Sequence, residues 1–197
     1  EAANAALAND AVTSVAVKDA TDTEPITIPA KSTESAAVEH TIDLSEATLP
    51  TTGPVEIVVT EGTGEKATVE KLTVIVPEGA SAGSYTINAP GTTVTIQGAD
   101  GTVLDTIEAI TAENTLIIGE GVTVNKLVLK GGNVRNSGTI TSIFDEDEKE
   151  YTWVTTLEAL KTAIAGDKNI ILGSDITSTE ILTINRTLTL NGNGYTL

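Results

Sequence analysis

From Val55 onward the chain repeats one device: a run of four to six residues alternating aliphatic with polar, closed by Gly, Pro, Asn or Asp. VEIVV, LTVIV, SYTIN, TVTIQ, NTLII and KLVL follow one another in this way. Alternation at period two puts one set of side chains on one face, so each run reads as a short strand and each closure as a corner. Leu72, Val94 and Leu116 open comparable runs at spacings of 22 and 22, with other runs between them. A fixed period holding two or three strands is the pattern of a β-solenoid, in which every circuit stacks on the one before. One circuit cannot cover its own inward side chains, but a stack shares a continuous column. Each buried Val, Ile or Leu then contributes about 1.5–3 kcal/mol, which offsets much of the ordering entropy. A β-sandwich would need hairpins. Asn-Gly and Asp-Gly pairs are confined to Asp100-Gly101 and the terminal NGNG.

The column must be built from small aliphatic groups, because the sequence holds no Met, no Cys, one Phe and one Trp. Val, Ile and Thr suit a pleated surface through their branched Cβ. Acidic residues number 28 against 11 basic, a net charge of −17 that repels polyanions and argues against nucleic acid as a partner. Membrane insertion is not expected either, since no run approaches the roughly 18 apolar residues of a span. Absence of Cys removes disulfides, thiolate metal sites and a cysteine nucleophile while leaving the compartment open.

A second constraint is internal. DITSTEILTI (175–184) matches DATDTEPITI (19–28) at six of ten positions, at an offset of 156 that pairs Thr179 with Thr23. AANAALAND (2–10) aligns with ALKTAIAGD (159–167) at 157. Pro25 replaces Ile181, and pairing TIDL (41–44) with TLTL (187–190) drops the offset to 146. Both places read as a cap helix feeding a first strand. The second helix, TTLEALKTAIAG (155–166), shows a capping box of Thr155 with Glu158, an apolar face of Leu157, Leu160 and Ile164, and Gly166 as a left-handed stop. Such a helix covers the end of a stack, where unpaired backbone invites another chain. The expected organisation is a solenoid unit over 1–143, an acidic linker over 144–152, and a cap helix with the first coil of a second, truncated unit over 153–197. A start without Met and an end within a coil read as an excised segment of a longer protein.

NIILGSDITSTEILTINRTLTLNGNGYTL (169–197) resembles the opening of right-handed parallel β-helix domains of the pectate-lyase-like superfamily. The matching steps are Ala163-Ile164-Ala165-Gly166, then Ile170-Ile171-Leu172-Gly173-Ser174-Asp175-Ile176, then Leu188 to Leu197. It is also similar in style to surface proteins of gut Bacteroidetes described as adhesins. The resemblance covers about residues 155–197 and implies an all-β fold, a right-handed parallel β-helix with short N-terminal cap helices. It implies a fold rather than a chemistry.

Candidate sites are few. FDEDEKEY (144–151) gathers Asp145, Glu146, Asp147 and Glu148, which could hold Ca²⁺ through carboxylate oxygens, although the Gly and Asn spacing of a calcium loop is missing. Tyr151, Trp153 and Tyr195 are the candidate platform for a sugar ring, or else the packing of the junction. Family enzymes acting on acidic polysaccharides use calcium-binding acids with a basic residue, as the resemblance implies. Arg135 and Arg186, the available arginines, lie outside any Asp-rich setting. Asp100, Asp105 and Glu108 could pair across circuits as hydrolytic carboxylates, but read more simply as corner residues. His40, the sole histidine, excludes a multi-histidine zinc site and follows Glu39 in what reads as a polar, surface stretch. The pairs Thr21/Thr23, Thr93/Thr95, Thr139/Thr141, Thr177/Thr179 and Thr187/Thr189 share strand faces as ice-binding threonines do, yet their spacing is irregular and outer-face threonine suffices.

These features lead to the expectation of a non-enzymatic, secreted or cell-surface structural and adhesive module that meets a glycan or a host or cell-surface protein, with a capacity for end-to-end self-association. The alternative is a fragment of a carbohydrate-active enzyme, a polysaccharide lyase or glycoside hydrolase, or its glycan-binding part.

Overall fold

Strand and corner alternate as the spacing requires, and each strand finds its partner one circuit on rather than next in the chain. The computed structural model describes residues 1–21, 24–109 and 114–197, so Thr23 of the internal match and of the Thr21/Thr23 pair lies outside the described residues. The chain opens with α1 (Ala2–Leu7), β1 (Ser14–Ala16), β2 (Ile26–Ile28), β3 (Lys31–Ser32), α2 (Thr33–Ala36), β4 (Glu39–Asp43), β5 (Val55–Val59) and β6 (Lys66–Ala67). It continues with β7 (Lys71–Ile75), β8 (Ser84–Asn88), β9 (Thr93–Gln97), β10 (Thr102–Ala109), β11 (Thr115–Ile118), β12 (Val122–Leu129), β13 (Asn133–Asn136) and β14 (Thr139–Asp145). One sheet has the order β1-β4-β7-β9-β11-β13, and the other runs through β2-β5-β8-β10-β12-β14. Within both, the pairs up to this point are parallel. The chain therefore visits the two sheets by turns and rises one rung at each visit, which is a parallel β-helix.

Register explains the spacing of 22. Leu72 pairs with Val94 and Val94 with Leu116, so the three residues are successive rungs of one inward row, which runs on from Leu116 to Val134. The facing sheet supplies the rows Val55–Tyr85–Ile107–Leu127–Ile143 and Ile26–Ile57–Ile87–Ala109–Leu129. All of these lie in one continuous buried cluster. In β10 and β12 the inward phase slips at the exposed Asp105 and Asn125, where each long strand bends. At the start of the stack α1 covers the first rungs with Leu7, while the buried ammonium of Lys31 donates to the carbonyls of Leu7 and Asn9 at the helix C-terminus. Burial lowers the pKa of Lys31.

Tyr85 stands in the column with 1% exposure, and its hydroxyl has no hydrogen-bond partner among the described residues. Burial pushes the phenol well above the ordinary tyrosine range. A buried hydroxyl without a partner costs about 1–3 kcal/mol. Tyr85→Phe is accordingly expected to raise the urea unfolding midpoint, by about 1 kcal/mol in stability. A lower midpoint would mean that the hydroxyl has a partner in solution.

Beyond β14 the direction changes. The acidic segment 144–152, read as a linker, takes the form of a hairpin. β15 (Glu150–Val154) pairs antiparallel with β14, with Ile143 opposite Tyr151 and Phe144 opposite Glu150. Like charges extend a chain only when nothing local opposes them, and here Asp145 organises the turn through its own carboxylate. α3 (Leu157–Ala165), β16 (Asn169–Leu172) and β17 (Leu190–Asn191) follow, and β15-β16-β17 are parallel to one another. The sheet is thereby nine strands long.

β16 is buried on both faces. Ile171 joins the first column, with Tyr151 and Trp153 packed against that column beside it, whereas Val154, Ile170 and Leu172 join a second cluster with Leu160 and Ala163 of α3 and with Ile176. The core thus changes sides of the sheet at the rung where the strands reverse.

Two details of α3 differ from expectation. Its N-cap is Thr156, whose hydroxyl accepts from the Ala159 N–H at 3.2 Å, so position N3 is Ala159 and the Thr155/Glu158 box is not formed. Gly166 is extended (φ −80°, ψ −166°) rather than left-handed. Gly166 N–H still closes on the Ala163 carbonyl at 3.1 Å, and the Arg186 guanidinium adds donors to the carbonyls of Ala163 and Ile164. The internal match is also only partly structural. Ile28 is buried in β2, while its counterpart Ile184 is 49% exposed and Ile181 is 95% exposed in an irregular stretch. β2 is paired by β5, but nothing among the described residues pairs with 181–184.

Candidate functional site

The three candidate aromatics gather where the two clusters meet. Trp153 is opposite Ile171 in the β15–β16 pair, and its indole fills the space above Gly173, where a Cβ would stand 2.4 Å from ring atoms. Tyr151 is half-buried against the first column and donates its hydroxyl to Asp145 Oδ2 at 3.2 Å. Burial first, and then the Asp145 charge, raise its pKa. Tyr195 packs on the second cluster and carries the Arg135 guanidinium over its ring, 4.2 Å from the centroid. All three rings are partly buried, Tyr151 and Trp153 against the first column and Tyr195 against the second cluster. They plug the end of the first column and clamp the second to it.

The centre of the clamp is a residue the sequence reading passed over. Asn193 lies in the turn 192–195, closed by Tyr195 N–H to the Gly192 carbonyl at 2.7 Å, and Asn193 and Gly194 both take positive φ (51° and 74°). Asn-Gly at left-handed positions is the preferred core of such a turn. The 3% exposed amide of Asn193 then acts as one more ladder rung. Its Oδ1 accepts from Val134 N–H at 2.6 Å, and its Nδ2 donates to the carbonyls of Val134 (2.7 Å) and Leu172 (2.9 Å). Arg135 Nη1 donates to the Asn193 carbonyl at 2.7 Å. Nearby, Asp175 accepts from the backbone N–H and the hydroxyl of Thr196, which lowers its pKa. An Asn-Gly pair after the last strand was the available signal, but its partner lies 59 residues away.

The acidic run makes a turn of its own. Asp145 Oδ1 accepts from the backbone N–H groups of Asp147 (3.0 Å) and Lys149 (2.9 Å), and Glu148 has φ of 57°. Asp147 pairs with Lys149 at 3.2 Å and Glu148 with Lys126 at 3.7 Å, while Glu146 is exposed. Among the described residues no group of three or more His, Asp or Glu side chains is placed to hold a metal ion.

The remaining candidates are dispersed. His40 is not on the surface: it is fully buried in β4, because the alternation Glu39-His40-Thr41-Ile42 puts it inward beside Leu72. Its Nε2 donates to the Ser35 carbonyl at 2.7 Å, and Nδ1 has no partner among the described residues. Arg186 is engaged with the carbonyls of Ala163, Ile164 and Lys168. Asp100 lies in a corner turn, Asp105 at the bend of β10, and Glu108 on the sheet face in an ion pair with Lys130. Thr93 and Thr95 each have a threonine on one adjacent rung, Thr115 and Thr73 respectively, whereas Thr177/Thr179 and Thr187/Thr189 lie in irregular chain. Comparison of the chain with protein-family models, with curated proteins and with solved structures returns no match.

Proposed function

We propose that the chain is a non-enzymatic structural and adhesive module of a secreted or cell-surface protein, a rod segment that spaces or displays a binding face. The observation that carries this reading is how its chemically capable side chains are used. Lys31, His40, Arg135, Arg186, Asp145 and Asn193 all bond to backbone groups. They hold corners, caps and the joint between coils. Nine strands at about 4.8 Å each give a sheet about 38 Å long, enough to act as a spacer. The likeness of residues 155–197 to pectate-lyase-like β-helices and to gut Bacteroidetes adhesins supports the same reading. The partner is a glycan or a protein of a host or cell surface.

A glycan array probed with and without Ca²⁺, followed by a turnover assay on every hit, tests the proposal. Retention without product is expected. Release of product from any polysaccharide, acidic ones above all, would overturn it. The exposed Ile181 and Ile184, and the open edge of β17 at the end of the nine-stranded sheet, favour end-to-end self-association as well. Light scattering over a concentration series is expected to show growing mass, and a strictly monomeric species removes that part.

A further inference from the structure

The clamp residue is followed by glycine, and that pairing has a chemistry of its own. Glycine places no Cβ beside its backbone nitrogen, so in a flexible chain the Gly N–H reaches the side-chain carbonyl of the preceding asparagine more readily than any other residue's would. We propose that Asn193 is a latent deamidation site, held unreactive by the closed clamp and converted irreversibly to aspartate or isoaspartate when the clamp opens.

The reaction needs only water. Gly194 N attacks Asn193 Cγ, the new C–N bond closes a five-membered imide, and the Cγ–Nδ2 bond breaks with loss of ammonia, which takes the proton of the Gly194 N–H. Water then adds to one of the two imide carbonyls. Attack at Cγ restores the backbone as aspartate, and attack at the main-chain carbonyl leaves isoaspartate, whose chain runs through the side chain. In sum, one amide and one water give one acid and one ammonia.

The structure withholds the first step. Rotation of the Asn193 amide toward Gly194 N requires release of three hydrogen bonds, to Val134 N–H, the Val134 carbonyl and the Leu172 carbonyl. Asn191-Gly192, two residues upstream, is an internal control with the same dipeptide. Its amide oxygen accepts a single bond, from Asn193 N–H at 2.8 Å, and its residue is only partly buried. Once formed, an acid at 193 has no donor for the two carbonyls, so reclosure does not restore the clamp.

The test is peptide mapping by mass spectrometry during incubation at mildly alkaline pH. Its arms are the whole protein, the same protein in urea below its unfolding transition, the Arg135→Ala variant, and a synthetic peptide of residues 188–197 as the unrestrained reference. In the native protein Asn191 converts first and Asn193 at least about tenfold more slowly than in the peptide, the suppression that a local opening equilibrium of little more than 1 kcal/mol would give. Urea and Arg135→Ala, which removes the bond to the Asn193 carbonyl, bring Asn193 toward the peptide rate. Tryptophan emission and circular dichroism verify that each arm is folded, and if Arg135→Ala is not, the urea arm decides. Conversion of Asn193 in the native protein at the peptide rate overturns the proposal. So does an Asn193 that stays unreactive when the clamp is open, since the turn and not the clamp would then protect it.

Discussion

Gly138→Ala is expected to remove more stability than any other single methyl addition at the corners, about 3 kcal/mol or more, and to leave much of the chain unfolded at 37 °C. Gly138 forms the corner between β13 and β14, directly on the corner of the preceding circuit. A Cβ there would lie 2.3 Å from the Val122 carbonyl oxygen and 2.4 Å from that of Gly119, with Ile118 Cγ2 at 3.2 Å. Two of the three obstacles are main chain, already fixed by parallel ladders on both sides. Relief requires the last two circuits to move apart, which stretches the bonds of β12 with β14 and of β11 with β13. Gly53 tests the converse: it has positive φ but nothing within 4 Å of its would-be Cβ, so alanine there meets backbone strain alone and costs about 1 kcal/mol. Urea melts of the two variants compare the effects. Equal losses would show that the circuits are not in close contact at Gly138.

Asn193→Asp is expected to uncouple the terminal coil from the first column at a cost of about 3–5 kcal/mol. The two side chains have nearly the same shape, so packing is unchanged and the loss is electrostatic. A carboxylate still accepts from Val134 N–H, but it faces the Val134 and Leu172 carbonyls where Nδ2 donated. Two carbonyls lose their donor and a charge is held in a site of 3% exposure. Hydrogen exchange separates this effect from general unfolding. Amides of β13 and of residues 188–197 should exchange faster, while those of β7, β9 and β10 keep their protection. Uniform loss of protection would mean that the joint and the column unfold as one unit, and no change would mean that Asn193 does not couple them.

The circuits were legible because an inward row needs an aliphatic residue at every second position and at every rung, a demand that Leu72, Val94 and Leu116 meet visibly. The same alternation places His40 inside, on one face with the buried Ile42 and Leu44, whereas adjacency to Glu39 points the other way and is the weaker guide. The N-cap slipped by one residue because Thr155 and Thr156 are chemically equal and only the entry angle of the chain chooses between them. The hairpin at 145–149 was hidden by its charge: the composition suggests repulsion, whereas a single carboxylate accepting two main-chain N–H groups sets the geometry. The clamp was least legible of all. An asparagine that pairs with a strand 59 residues earlier leaves no local periodicity, and its partners are main-chain atoms that every residue possesses.

The double-sided strand β16 fixes how such coils can be joined. Reversing strand direction alone would turn a helical winding into its mirror image, and so would moving the core to the opposite face alone. Doing both at one rung leaves the sense of winding unchanged across the joint. The second cluster is then displaced sideways from the first column by about one inter-sheet spacing, roughly 10 Å. A filament spliced through such joints would climb like a staircase instead of a straight mast, with the offset at every landing set by a sheet's thickness.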